Sequence, residues 1–140
     1  MPGLLIEASR GLADLLEQSH RYGGIARSGW FYGDEGKVYL RVAQRALPSD
    51  LTRLTPVIDL ANVELLEEYR GTGVFSALFD QIEQTCLATA RALYVENVFS
   101  DRLHAMLQAR GYHIREDVSP PSYWRHPDVS PAPGPSRRPR

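Results

Sequence analysis

The sequence predicts a mixed α/β domain with a sheet of six or seven strands, mostly antiparallel, and three to four helices. Two observations carry that expectation. Residues 57–65 have the alternation and β-branched content of a strand. A polar turn follows, then apolar residues Val74, Phe75, Leu78, Phe79, Ile82 and Cys86 at helical spacing, then a second apolar run at 92–98. A strand, a crossover helix and a strand form a parallel pair, because parallel neighbours need a connection of that length. Earlier in the chain, runs at 28–33 and 37–44 rich in aromatic and β-branched residues flank Asp34-Glu35-Gly36, which reads as an antiparallel hairpin.

The remaining elements follow in order. Leu4-Leu5-Ile6 fits either a short first strand or the start of a helix. From Ser9 a helix is expected with Leu12, Leu15 and Leu16 on one face and Gly23-Gly24 as its stop. Pro48, Ser49 and Asp50 read as a loop leading to the strand at 57. Ser100 is placed to cap a helix carrying Leu103, Met106 and Leu107, with Gly111 ending it. Tyr112-His113-Ile114 and, after Pro120-Pro121, Ser122-Tyr123-Trp124-Arg125 are the last strand candidates. Seven of the ten prolines lie from Pro120 onward, and the chain ends Arg137-Arg138-Pro139-Arg140. The expected organisation is one domain over 1–126 and a disordered Pro/Arg-rich tail over 127–140.

A chain of 140 residues with 43% hydrophobic and 24% charged residues has the length and composition of one ordinary globular domain. Its net charge of −1 offers no general attraction for nucleic acid or membrane. Three arginines sit in the tail, so the body is more acidic than the total and favours a cationic amine over a polyanion. Nucleic acid is therefore not expected as a partner, and a homodimer stays open. The single cysteine, Cys86, falls on an apolar helix face and reads as a reduced core thiol. With no secretory leader and no apolar run long enough to span a bilayer, the expected location is the cytoplasm. No metal is expected.

The stretch with chemical content is Arg70-Gly71-Thr72-Gly73-Val74-Phe75, between a strand and a helix. Glycines there let the backbone approach a ligand, and the unpaired N–H groups of a helix start suit an anion such as phosphate. A tight ligand-free turn is the plain alternative. A P-loop is excluded because no Lys-Ser/Thr follows. A dinucleotide fingerprint is excluded because Ser76 stands where its third glycine belongs.

Glu68-Tyr69-Arg70-Gly71-Thr72-Gly73 resembles the pyrophosphate loop of the GNAT superfamily of acyl-CoA-dependent N-acetyltransferases, [Q/R]-x-x-G-x-[G/A]. Arg70 and Gly73 match it, and Phe75 stands in place of the last small residue. The resemblance runs on through Tyr94-Val95-Glu96-Asn97-Val98 and Ser100 to Arg110-Gly111-Tyr112.

It implies a GNAT-like fold in which the strands at 57–65 and 92–98 splay apart to admit the pantetheine arm of acetyl-CoA, the cosubstrate. Val63 and Leu65 would pair with that arm, Gly71, Thr72, Gly73, Val74 and Phe75 would hold the pyrophosphate, Arg70 would brace the loop or meet a phosphate, and Ser100 would bond the pantetheine. Asp59 stands where some protein-acetylating relatives carry a catalytic carboxylate. Glu96 and Glu64 compete with it as base, Glu96 being at the carboxyl end of its strand. Leu107 stands where many relatives carry an acidic tyrosine; Tyr123, His104 and Tyr69 are the alternatives, and water can also protonate the thiolate. The implied function is transfer of an acetyl group to a primary amine of a small molecule or protein. A catalytically silent acyl-CoA-binding or protein-interaction module is the alternative.

Overall fold

A computed structural model describes residues 1–98 and 100–127 of the chain. Helix α1 spans Gly3–Arg21, followed by strands β1 (Arg27–Gly33), β2 (Gly36–Leu47) and β3 (Asp50–Leu65). A 3-10 turn at Glu67–Tyr69 leads to α2 (Val74–Thr89), then β4 (Ala92–Val95), α3 (Asp101–Ala109), β5 (His113–Arg115) and β6 (Ser122–Arg125). The six strands form one sheet in the order β1-β2-β3-β4-β6-β5. Only β3 and β4 are parallel; the other neighbours are antiparallel. This is the mixed sheet the sequence predicts, with six strands and three α-helices among the described residues. The expected tail lies, from residue 128 on, outside the described residues.

Leu4-Leu5-Ile6 is helix, so α1 begins six residues before Ser9. Its start is held from a distance: Glu35, in the β1–β2 turn, accepts the Gly3 N–H at 3.2 Å and the Leu4 N–H at 2.8 Å. A carboxylate there satisfies two orphan donors and complements the helix dipole. The segment before residue 57 is also more regular than expected. Strand β3 starts at Asp50 and runs back along β2, leaving Pro48-Ser49 as the turn. Pro56 is tolerated within it because β4 pairs with β3 only from Val57, so its missing N–H falls outside the β3–β4 ladder.

All three helices contribute to a single core on one sheet face. Leu4, Leu12, Leu78, Phe79, Ile82 and Leu107 meet Val38, Leu40, Ile58, Leu60, Leu93 and Val95 there. Burying such a side chain is worth about 1.5–3 kcal/mol. Helix α2 has five buried residues and no side-chain cap at its start, so packing holds it in place and leaves its first N–H groups available. Among the described residues the opposite face carries no helix. A smaller cluster of Ala43, Leu47, Val57, Ala92, Tyr94 and Trp124 is buried there, and the Arg45 guanidinium lies 4.2 Å from the Tyr94 ring centroid.

Candidate active site

The site begins where two paired strands part. Parallel pairing of β3 with β4 runs from Val57↔Ala92 to Leu60↔Val95, and the Glu96 N–H still donates to the Leu60 carbonyl at 3.1 Å. Beyond that point β4 has ended and Asn97 takes a left-handed conformation, φ 53°. The run expected as strand to residue 98 therefore turns away after Val95. β3 continues to Leu65 paired with β2 alone, and its other edge stays open.

Within that extension the register shifts between Tyr39↔Asn62 and Leu40↔Leu60, so Ala61 is an extra residue. The bulge inverts the alternation. Ile58 and Leu60 face the helices before it, and Val63 and Leu65 pack against the same core after it. Straight pairing would have turned Asn62 and Glu64 inward.

The gap opens into a cleft of about 1330 Å³. Its walls include Val63 and Leu65 from β3, Glu96 and Ser100 from the segment after β4, Leu103 and Met106 from α3, and Arg70, Gly71, Gly73 and Phe75 at its far end. At that end the Arg70 side chain donates to the Leu65 carbonyl at 3.3 Å and Thr72 Oγ1 to the Tyr69 carbonyl at 2.5 Å. Gly71 and Gly73 have φ of 74° and 90°, the left-handed region that glycine alone adopts without strain. The first helical bond of α2 runs from the Ala77 N–H to the Gly73 carbonyl. The N–H groups of Val74, Phe75 and Ser76 thus precede the helix ladder, where an anion is favoured.

Charge gathers at the other end of the cleft. Asp59, fully buried, meets Arg41 Nη1 at 2.8 Å, and the Arg45 fork binds it through Nε to Oδ1 at 3.1 Å and Nη2 to Oδ2 at 2.9 Å. Both arginines also reach Glu96 Oε2, at 2.6 and 2.8 Å. Burial first, and then neighbouring Asp59, push the Glu96 carboxyl above its usual range, while the two guanidinium groups pull the other way. Glu96 is the member of this cluster that lines the cleft.

Of the residues the sequence singles out, the structure brings Val63, Leu65, Glu96, Ser100, Arg70, Gly71, Gly73 and Phe75 to one cleft. Thr72 and Val74 belong to the same loop and helix start. Asp59 lies behind Glu96, engaged by the two arginines. Tyr123 lies apart: it is fully buried in β6, its hydroxyl 2.7 Å from His104 Nδ1, and it is not among the residues lining the cleft. Leu107 is fully buried, while the Ser100 hydroxyl accepts the Leu103 N–H at 3.2 Å as the expected cap. Cys86 is buried, its thiol pushed up to about 12 chiefly by burial. Arg41 and Arg45 were not foreseeable as site residues from any motif; their spacing on one face of a strand was the available signal. Among the described residues no group of three His, Cys, Asp or Glu is placed to hold a metal, and no helix is long and apolar enough to cross a membrane.

No family profile matches the chain, and no curated protein matches it in sequence. Solved structures do. AtaT complexed with acetyl-methionyl-tRNAfMet aligns at a TM-score of 0.53 and 17% identity, over 82% of this chain and 78% of AtaT. KacT, as its Y145F mutant, aligns at 0.52 and 16%, over 83% and 79%. The AtaT Y144F mutant bound to the C-terminus of the antitoxin AtaR and acetyl-CoA aligns at 0.50 and 16%, over 80% and 74%. The fold of this chain is that of these structures, the GNAT-like fold that the sequence implies.

Proposed function

We propose that the chain is an N-acetyltransferase that transfers an acetyl group from acetyl-CoA to a primary amine. The observation that carries the reading is the split between β3 and β4, an open backbone edge leading to an uncapped helix start. The open edge of β3 suits the amide groups of pantetheine, as a missing strand would be received. The pyrophosphate fits the N–H groups at the start of α2, with Arg70 beside them. The Ser100 hydroxyl, which accepts from Leu103, still has its own proton to donate to a pantetheine carbonyl.

For the chemistry, the acceptor ammonium must lose a proton before its nitrogen can attack the thioester carbon. Glu96 is the base we assign. Its Oε2 is fixed by Arg41 and Arg45, which orients the carboxylate, and its upward shift makes it a better proton acceptor than an ordinary glutamate. Asp59 then acts as a positioning residue, holding the two arginines. The N–C bond forms, the C–S bond breaks, and the leaving thiolate takes a proton from water, since Tyr123 lies outside the cleft.

A second reading of the acceptor rests on its surroundings. Trp30 and Tyr39 lie with ring centroids 5.1 Å apart, Lys37 sits over Trp30 at 4.6 Å and Arg41 beside Tyr39 at 5.6 Å. Such an aromatic and cationic strip suits stacked bases, and AtaT has this fold and is complexed with an acylated tRNA. An amine carried on RNA is therefore included, against the expectation drawn from net charge. Strongly salt-dependent RNA binding lost in Trp30→Ala would support it; salt-insensitive or absent binding rejects it.

The deciding experiment is incubation with acetyl-CoA and a panel of small amines, peptides and aminoacyl-tRNA, with released thiol as readout. Thiol release with a matching acetylated amine is expected. Binding of acetyl-CoA without transfer to any acceptor would leave the silent module in its place.

A further inference from the structure

Lys37 is the only lysine in a chain with sixteen lysine and arginine residues. It stands on β2, paired in register with Glu64 of β3, and is among the residues lining the cleft that also holds Glu96 and Ser100. The amine is reachable: 36% of the side chain is exposed. Its Nζ lies 3.9 Å from Glu64 Oε1 and 4.6 Å from the Trp30 ring centroid, with no closer ion pair among the described residues. Arginine would serve both of those contacts at least as well, since its guanidinium stacks on aromatic rings and forks onto carboxylates. What lysine adds is a nucleophilic nitrogen on a flexible four-carbon stem.

We propose that Lys37 is a self-acetylation site, modified within its own chain by acetyl-CoA bound in the cleft. This rests on the acetyl-CoA reading above. The Lys37 ammonium gives a proton to Glu96 or to water, its nitrogen attacks the thioester carbon, the C–S bond breaks, and the thiolate takes a proton. The products are Nε-acetyl-Lys37 and CoA. A tethered amine sharing a cleft with the thioester reacts at high effective concentration, so no docked acceptor is needed. Modification removes the cation from Trp30 and from Glu64 and leaves an acetamide at the edge of the cleft.

The test uses the full chain with acetyl-CoA, intact mass, peptide mapping, and melting temperature with and without the cosubstrate. The expected result is one acetyl group, mapped to Lys37 and absent from Lys37→Arg. It should form at a first-order rate that does not change with protein concentration. Excess CoA should suppress the reaction, and Gly73→Glu should slow it about tenfold or more. If acetyl-CoA raises the melting temperature and Lys37 stays unmodified, the inference is overturned and the acetyl-CoA reading survives. If acetyl-CoA neither stabilises nor modifies the chain, both are overturned. Labelling that ignores CoA and Gly73→Glu, or whose rate scales with protein concentration, also overturns it, because the acetyl group would then come from solution or another copy.

Discussion

Arg41 Nη1 lies 2.6 Å from Glu96 Oε2, joining residues 55 apart in sequence. The contact crosses β3, whose Asp59 both arginines also hold, and fastens the first residue after β4 to β2. The point where the sheet parts is therefore pinned by charge on its helix-free face.

The first expectation concerns that pin. Removing one partner of a buried ion pair typically costs about 3–5 kcal/mol. Arg45→Gln should fall near the low end, about 3 kcal/mol, because Arg41 keeps its hold on Asp59. Arg45→Lys should recover only part, since an ammonium restores the charge without the fork. Urea unfolding measures both, and a loss below about 1 kcal/mol in Arg45→Gln would show the cluster to be dispensable.

The second concerns Glu96. Its carboxyl is raised, so it stays protonated, and useless as a base, to a higher pH than a free glutamate. Turnover should rise with pH through that raised value. Glu96→Gln should remove this limb and lower turnover by roughly 10² to 10⁴, with acetyl-CoA affinity nearly unchanged. Wild-type turnover and pH dependence in the variant would rule Glu96 out.

The third concerns the loop. A Cβ at Gly73 would meet nothing within 4 Å, so the residue is glycine for its φ and not for lack of space. Gly73→Ala should cost about 1–2 kcal/mol of stability and keep the melting shift given by acetyl-CoA. Gly73→Glu should carry the same strain and lose the shift, because its carboxylate competes with the pyrophosphate. Equal shifts in the two variants would place the ligand elsewhere.

The fourth concerns Glu35. Bonds from Leu4 and Gly3 hold its carboxyl below the usual range. A lowered folded value means that its stabilisation is complete above the ordinary carboxylate range and fades as pH falls through the folded value. Glu35→Gln should melt earlier than wild type near neutral pH, and the gap should close in acid. A gap independent of pH would mean that charge plays no part in capping α1.

How much of this was legible beforehand varied with the range of the interactions. The Ser100 cap, the hairpin and the β3-α2-β4 crossover are written in local spacing and all form, although β3 starts earlier, at Asp50, and β4 ends earlier, at Val95, than the sequence placed them. Leu4-Leu5-Ile6 was ambiguous because the carboxylate that starts α1 comes from residue 35. Asp59 and Glu96 were both visible as carboxylates. Which one faces the cleft depends on arginines from β2 and on where β4 stops, and no local pattern reports either. Ala61 was invisible for the same reason: a bulge exists only between two strands. Tyr123 suited an acid by residue type, and only the pairing of β6 with β4 shows it buried against His104.

The unpaired edge of β3 also gives the protein a built-in reporter. Backbone amides from 61 to 65 that point into the cleft have no sheet partner to shield them from solvent deuterium, whereas those pointing toward β2 do. Hydrogen exchange along this short run should therefore alternate between fast and slow in the free protein. A ligand that occupies the gap like a strand would silence the fast positions one by one, and one that merely sat over the loop at 70–75 would leave them exchanging.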